Sequence, residues 1–187
     1  DKAKVQPGDT VLVMAGASGV GTAAIQICKL FGARVIATAS SESKLRKLQE
    51  LGVEYVVNYS EEDWEKKIRQ FTNGTGVDVV IDHTGSDFWE KIIPLTRWGG
   101  KIVLCGATSG YTAQTDLRHI FYRQLSIFGS TMGKKASLYR ILRLVEEKKL
   151  RPIVDEIFPL QQAQQAHRKL ESRNVFGKII LSLNNLY

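Results

Sequence analysis

The chain has 187 residues, enough to bury the core of one domain, and it is basic, with a net charge of +7. Hydrophobic residues make up 43% of it and charged residues 24%, which is ordinary for a soluble globular protein. No apolar run approaches the length of a membrane span and no signal-peptide pattern opens the chain, so we expect a cytoplasmic protein without membrane contact. The first residue is Asp1, which indicates a fragment or a processed product.

The positive charge raises the possibility of nucleic-acid binding, but the basic residues are dispersed along the chain. Pairs such as Lys134 and Lys135 lie beside predicted helix ends, and no stripe of aromatic and basic residues accompanies them. We therefore expect no nucleic-acid partner, and attraction for an anionic cofactor accounts for the charge. The two cysteines, Cys28 and Cys105, predict a reducing compartment without disulfides, and no C-x-x-C or His-rich spacing predicts a metal site.

A strand, a glycine-rich turn and a helix are predicted first, at residues 10–15, 16–21 and 22–31. A second strand, 34–38, follows directly after Gly32. This order is typical of the first βαβ unit of a dinucleotide-binding sheet, where glycines let backbone amides approach a pyrophosphate. The N-terminus of the helix adds partial positive charge toward the same phosphates.

The turn departs from the G-x-G-x-x-G pattern at one position, because Ser18 stands where the middle glycine is expected. A serine still allows close backbone approach, and its hydroxyl could donate a hydrogen bond to phosphate. A turn that only packs a helix on a strand is the alternative interpretation. The short-chain reductases are excluded, because they need a different glycine spacing and a Tyr-x-x-x-Lys pair that the chain lacks.

The end of the second strand indicates which dinucleotide is bound. An Asp or Glu that holds the adenosine ribose is expected there, but the sequence reads Ala39, Ser40, Ser41, with Lys44 nearby. Small polar residues and a cation favour a 2′-phosphate. We therefore predict NADP(H) as the cofactor.

Further along, strand signals alternate with helical patterns. The predicted strands are 55–57, 77–81, 101–104 and 125–128. Two predicted helices are 43–51 and 87–96. A third helix is predicted to begin at Ser60, whose hydroxyl can cap it, with Asp63 three residues later. This alternation predicts an α/β fold, a Rossmann-type doubly wound parallel sheet in three layers, α/β/α. Ligands of such sheets bind at the carboxyl ends of the strands.

After Gly133 the pattern changes to a helix ending near Lys148, an extended piece, a helix over 160–170 and a last strand over 177–183. We divide the chain into a cofactor-binding domain, 1–150, and a C-terminal segment, 151–187.

Two residues at predicted strand ends have alternative interpretations. Tyr59 either packs beside the adenosine phosphate or caps the sheet as a surface aromatic. His83 is an acid–base candidate, but a single His at a strand end is more often a packing or hydrogen-bonding residue. We assign no catalytic residue.

With these residues placed, the chain resembles the cofactor-binding half of the medium-chain dehydrogenase/reductase superfamily, near its quinone-reductase-like and zinc-type alcohol-dehydrogenase-like members. The resemblance covers essentially the whole chain, and its most specific stretches are 8–13, 15–21, 78–82, 121–133 and 176–179. The family implies an N-terminal GroES-like catalytic domain that holds the substrate pocket and any zinc. No part of that domain is expected in this sequence, so the fragment alone would be inactive, and the segment from 151 onward would pack on it.

The resemblance also implies roles for individual positions. The pyrophosphate would meet the turn, the 2′-phosphate the end of the second strand, and the nicotinamide and its ribose the later strand ends. The implied cofactor contacts are Gly16, Ser18, Gly19, Val20, Gly21, Ser40, Ser41, Lys44, Tyr59, His83, Thr84, Cys105, Gly106, Ser130 and Met132. Relatives pair the strand at 125–128 across a homodimer, and an apolar edge strand needs such cover.

The leading hypothesis is therefore an NADP(H)-dependent oxidoreductase that acts on a small-molecule substrate, a carbonyl or alcohol, a quinone or an enone. Zinc-assisted and zinc-free chemistries both stay open. A non-catalytic nucleotide-binding regulatory module is the alternative.

Overall fold

A six-stranded parallel sheet organises the computed structural model, which describes residues 1–183. The strands lie in the order β3-β2-β1-β4-β5-β6, and every neighbouring pair is parallel. Their bounds are β1 Thr10–Val13, β2 Arg34–Ala39, β3 Tyr55–Asn58, β4 Val77–Asp82, β5 Thr96–Leu104 and β6 Ser126–Gly129. The order reverses between β1 and β4, which places a crevice at the carboxyl ends of these two strands.

In residues 1–183, seven α-helices cover the sheet or follow it. They are α1 Gly19–Leu30, α2 Glu42–Glu50, α3 Trp64–Phe71, α4 Ser86–Leu95, α5 Leu117–Tyr122, α6 Lys135–Glu146 and α7 Ala163–Glu171. The predicted α/β doubly wound fold is confirmed, because strands alternate with helices and all six strands are parallel.

Strand β1 shows how the sheet is buried on both faces. Val11 and Val13 point into one core with α1 and α2, whereas Leu12 points into the other core with α3 and α4. Consecutive residues of a strand point to opposite faces, so an uninterrupted apolar run is what a strand covered on both sides requires. The three layers follow from these two cores.

Helix α3 begins later than the sequence predicts. The structure starts it at Trp64, with Asp63 as an N-cap that makes no side-chain capping bond. The Ser60 hydroxyl instead donates to the Ser40 carbonyl at 3.4 Å, and the Ser60 amide donates to Asn58 Oδ1. The predicted Ser60 cap is therefore wrong, because this serine ties β2 to the turn after β3.

Helix α5 and the first half of β5 were not expected. Helix α5 has six residues, and its apolar positions, Leu117, Ile120 and Phe121, cover little more than one turn, which is too short for a helical period to be recognised. Strand β5 starts immediately after α4, and its register with β4 shifts between Val77 and Val79, so the glycines at 99–100 lie inside the strand. Gly99 has a φ of 66°, which only glycine adopts without strain.

The C-terminal segment forms a separate parallel pair of strands, β7 Val154–Pro159 and β8 Lys178–Ser182, with α7 between them. It is fastened to the glycine turn, since the Gly177 amide donates to the Ala17 carbonyl at 2.8 Å. Phe176 is buried in the same core as α1 and α2. The predicted strand 177–183 ends at Ser182, and the last four residues of the chain lie outside the described part. In residues 1–183 no helix is long and apolar enough to cross a membrane.

Gly177 has no room for a side chain at this contact. Its φ is 95°, and a Cβ would lie 2.3 Å from the Ile153 carbonyl oxygen. We expect Gly177→Ala to lower the free energy of unfolding by about 2 kcal/mol, because it combines a strained backbone with a steric clash. Urea unfolding followed by circular dichroism measures this.

Gly133→Ala is the matched control, because a Cβ there would meet nothing within 4 Å. We expect its free energy of unfolding to change by less than about 0.5 kcal/mol. Equal effects of the two substitutions would contradict a tight junction at Gly177.

Candidate functional site

Glycines at the end of β1 bring α1 close to the sheet. A Cβ on Gly21 would lie 2.6 Å from the Ala15 carbonyl oxygen, and a Cβ on Gly16 would lie 2.9 Å from the Ala37 Cβ. Both distances are below what neighbouring atoms tolerate, so these two positions must be glycine for the turn to form. Their role in the structure is to seat the N-terminus of α1 against β1 and β2.

Gly19 serves a different purpose, because the side chain of Lys178 lies across it. A Cβ there would come within 2.2 Å of Lys178 Cε and 2.9 Å of its Nζ. The first turn of α1 contains no acidic residue, and Val20 beside Gly19 is exposed. The helix N-terminus and the Lys178 ammonium therefore place two sources of positive charge at one point, which is the electrostatic requirement of a phosphate.

Ser18 connects this turn to β4. It is the N-cap of α1, and its Oγ accepts a hydrogen bond from the Gly21 amide at 2.9 Å. The same Oγ lies 2.9 Å from Nε2 of His83, the residue that follows β4. His83 is only 8% exposed, and its burial lowers the pKa of the imidazole while the charge of Asp82 opposes that shift. Its Nδ1 is buried without a hydrogen-bond partner in the described part of the chain.

The turn after β4 is held by the fully buried carboxylate of Asp82. Oδ1 of this residue accepts from the Thr84 amide at 2.8 Å and from the Thr84 hydroxyl, and Oδ2 accepts from the Gly85 amide at 3.2 Å. Buried carboxylates need such donors. The hydroxyl of Thr84, predicted to line the ribose, is thus already engaged in fixing the turn.

The backbone amides at the ends of β5 and β6 are also engaged. The Cys105 amide donates to the Asp82 carbonyl at 2.9 Å and the Ser130 amide to the Leu104 carbonyl at 2.9 Å. What these two residues can offer a carboxamide is their carbonyl oxygens. Gly106 packs against the His83 backbone, where a Cβ would lie 3.0 Å from its carbonyl oxygen. The side chain of Met132 is almost fully exposed, at 96%.

Positive charge gathers where β2 meets α2. The Lys44 ammonium donates to the Arg173 carbonyl at 2.5 Å, and burial together with the positive charge of Arg173 lowers its pKa. Lys47 lies one turn further along α2 and is partly offset by Asp155 at 3.7 Å. Ser40 is half-buried, and the Ser41 hydroxyl lies 3.2 Å from that of Ser43 without capping α2. The arrangement has cations and hydroxyls, and its nearby carboxylate, Asp155, is paired with Lys47 and Lys169.

Tyr59 packs into the second core rather than standing free at the cleft. Its ring meets Phe88 edge-on, with 4.9 Å between the ring centroids, and Phe88 contacts Trp64 in turn. This geometry agrees with the aromatic cap of the sheet, one of the two interpretations that the sequence allows.

Two residues of this site were not predicted from the sequence, Arg173 and Lys178. Both belong to the C-terminal segment, which folds back over the amino-terminal βαβ unit. The run 176–179 was singled out for its family resemblance, but nothing in its composition shows that it lies on Gly19. Lys44 and Arg173 are 129 residues apart, and a contact between positions so distant leaves no local pattern.

Zinc does not fit the described part of the chain. In residues 1–183 no group of three or more His, Cys, Asp or Glu side chains is arranged to hold a metal ion. A structural or catalytic zinc site needs at least three such ligands.

Comparison with known proteins identifies relatives of this arrangement. The probable quinone oxidoreductase of Schizosaccharomyces pombe is 34% identical over 96% of this chain and 56% of the relative. The crotonyl-CoA reductase of Streptomyces avermitilis is 29% identical over 92% of this chain and 44% of the relative. The chain thus spans about half the length of the curated relatives it matches.

Solved structures share the fold closely. One described as an NAD-dependent alcohol dehydrogenase is 55% identical, with a TM-score of 0.93 over 98% of this chain and 54% of that one. The 2-octenoyl-CoA carboxylase reductase CinF, solved with NADP and 2-octenoyl-CoA, is 26% identical, with a TM-score of 0.87 over 96% of this chain and 44% of that one.

The sequence profile described as "zinc-binding dehydrogenase" matches residues 19–147, well over half of the chain. Together with the strand order and the glycine turn, this match shows that the chain belongs to the zinc-binding dehydrogenase family, within the medium-chain dehydrogenase/reductase superfamily.

Proposed function

We propose that the chain is the cofactor-binding part of an NADP(H)-dependent oxidoreductase, which moves hydride to or from a carbonyl or alcohol, a quinone or an enone. The observation that carries the proposal is the cation Lys44 just after β2, within electrostatic range of the Arg173 side chain and of Asp155, where an NAD-specific site would have an acidic residue. Ala39, Ser40 and Ser41 add no negative charge there.

The two phosphate-bearing parts of the cofactor meet separate groups of cations. The pyrophosphate would lie at the N-terminus of α1, under the Lys178 ammonium, and the 2′-phosphate between Lys44 and Arg173. When bound, a nicotinamide cofactor would supply or accept the hydride that the reaction transfers. The residues of the chain bind it and fix the exposed face of its ring, which is a positioning role.

The relatives support a reductase but disagree on the cofactor. Crotonyl-CoA reductase and 2-haloacrylate reductase are among them, and the CinF structure contains NADP, whereas the 55% identical structure is described as NAD-dependent. The local charge at Lys44 and Arg173 favours the 2′-phosphate, and this preference is what the first experiment must decide.

A second domain is proposed to complete the enzyme. Val154, Ile157 and Ile180 are exposed on one face of the β7–β8 pair, because Val154 pairs with Lys178 and Ile157 pairs with Ile180. A two-stranded sheet is at best marginally stable alone in water, so this exposed apolar face requires cover. We assign this face to a catalytic domain that brings the substrate pocket, any zinc and the acid–base groups, so that the chain alone would be inactive.

Homodimer formation through β6 is part of the same proposal. This strand is a sheet edge, Ile127 on it is exposed, and Trp98 and Tyr122 lie nearby in edge-on contact with both rings exposed. A hollow of about 480 Å³ beside them is lined by Trp98, Phe121 and Tyr122 among others. Pairing of two such edges covers both the backbone groups and the aromatic side chains.

Titration with NADPH and NADH, followed by nicotinamide fluorescence, tests the cofactor preference. We expect the chain to bind NADPH more tightly than NADH. Lys44→Ala should weaken NADPH binding by about 1–2 kcal/mol and leave NADH unchanged, because one charge-assisted contact to the 2′-phosphate is lost.

Lys66→Ala on the exposed face of α3 is the matched control, since it removes the same charge away from the crevice. Tighter NADH binding by the unaltered chain would contradict the 2′-phosphate site while leaving the fold in place. If Lys44→Ala lowered the affinity for NADPH and for NADH equally, Lys44 would act on folding or on the shared pyrophosphate and not on the 2′-phosphate.

Lys178→Ala tests the pyrophosphate site. NADPH and NADH share this group, so we expect both affinities to fall by a similar factor, roughly 1 kcal/mol each. Adenosine 2′-monophosphate, which lacks the pyrophosphate, should bind as before. A loss of affinity for NADPH alone would show that Lys178 contacts the 2′-phosphate and not the pyrophosphate.

A further inference from the structure

The hydroxyl of Ser18 has more neighbours than an ordinary helix cap. A serine hydroxyl has one proton to donate and can accept two hydrogen bonds. The Gly21 amide takes one acceptor site at 2.9 Å, as in other N-caps. His83 Nε2, also 2.9 Å away, takes either the second acceptor site or the only proton. If His83 Nε2 donates to Ser18 Oγ, the hydroxyl proton of Ser18 can still bind a ligand. If His83 Nε2 accepts that proton, the hydroxyl has none left to donate.

The position of the proton on His83 settles that choice. Burial lowers the pKa of this imidazole, so the ring is neutral at neutral pH and carries a single N–H. Nδ1 is buried and finds no partner in residues 1–183. A proton on Nδ1 would leave a buried N–H donor unpaired, the rarest kind of unsatisfied group in proteins. A proton on Nε2 leaves only a lone pair unpaired and makes the ring a donor to Ser18.

We propose that His83 is a positioning residue, which donates its Nε2–H to Ser18 Oγ and so leaves the Ser18 hydroxyl proton free to bind the cofactor pyrophosphate. The inference rests on the proposed function, because it concerns the same dinucleotide site. It replaces direct contact of His83 with the ribose by an indirect role, in which His83 acts through Ser18.

Accessibility fits this division of roles. Ser18 is half-buried and opens the first turn of α1, beside Gly19 and the Lys178 ammonium, whereas His83 lies behind it with 8% of its surface exposed. With both acceptor sites filled from inside the protein, the remaining proton of Ser18 is directed away from Gly21 and His83. The serine at the middle position of the motif is then a phosphate donor, where a glycine would supply only space.

The substitutions that separate this role from a structural one are at both ends of the hydrogen bond. We expect Ser18→Ala and Ser18→Gly each to weaken NADPH and NADH by about tenfold, as for the loss of one hydrogen bond to a charged group. Ser18→Gly is the sharper variant, because it restores the G-x-G-x-x-G motif and is nevertheless expected to bind less tightly. Adenosine 2′-monophosphate should bind all variants equally.

His83 has two matched variants. The side-chain amide of Gln places an N–H donor near the position of Nε2, whereas that of Asn reaches only the position of Nδ1. We expect His83→Gln to keep affinity for NADPH within about twofold and His83→Asn to lose about tenfold. Combining His83→Asn with Ser18→Ala should cost no more than Ser18→Ala alone, because both act through the same hydroxyl.

A direct observation of the proton does not depend on how the variants fold. In the unaltered chain labelled with ¹⁵N-histidine, nuclear magnetic resonance distinguishes Nε2–H from Nδ1–H, and we expect the Nε2–H form at His83. The Nδ1–H form, or full NADPH and NADH affinity in Ser18→Gly, would overturn the inference while the proposed function stands. Failure of the unaltered chain to bind NADPH, NADH and adenosine 2′-monophosphate would overturn both.

Discussion

The close approach of α1 to the end of β1 is the constraint on which the rest of the molecule depends. With 2.6 Å between a hypothetical Gly21 Cβ and the Ala15 carbonyl oxygen, no other residue allows the helix to start there. That start fixes three things at once: the direction of the helix amides, the position of Ser18 above β4, and the surface on which the C-terminal segment rests. The charge of the crevice then comes from residues brought to this point by separate parts of the chain.

The local sequence pattern was enough to predict the parallel sheet. Strand β1 and its glycine turn were predictable because a buried parallel strand is a run of apolar residues and the turn has few other solutions. Helix α5 was not predicted, because its apolar positions cover little more than one turn, and the Ser60 cap was wrong because the hydroxyl donates instead to the carbonyl of Ser40, just after β2. The errors occur where a pattern is too short or where a tertiary contact replaces a local one.

The site was predictable to a smaller extent. Residues of the turn and of the β2 end could be named from spacing, because the motif is local. The structure adds that Thr84 is engaged by Asp82 and that His83 contacts Ser18, and both facts depend on the packing of β1 beside β4. Arg173 and Lys178 come from the other end of the chain, and only the folded structure brings them to Lys44 and Gly19.

The placement of Lys178 has a consequence for the order in which the chain is synthesised and folds. The βαβ unit with its turn is synthesised before Gly177 and Lys178, which supply the amide bonded to the Ala17 carbonyl and the ammonium over Gly19. A nascent chain can therefore form the parallel sheet before the proposed pyrophosphate site has its second source of positive charge. On the proposed function, firm binding of a dinucleotide follows the arrival of β8 and does not precede it.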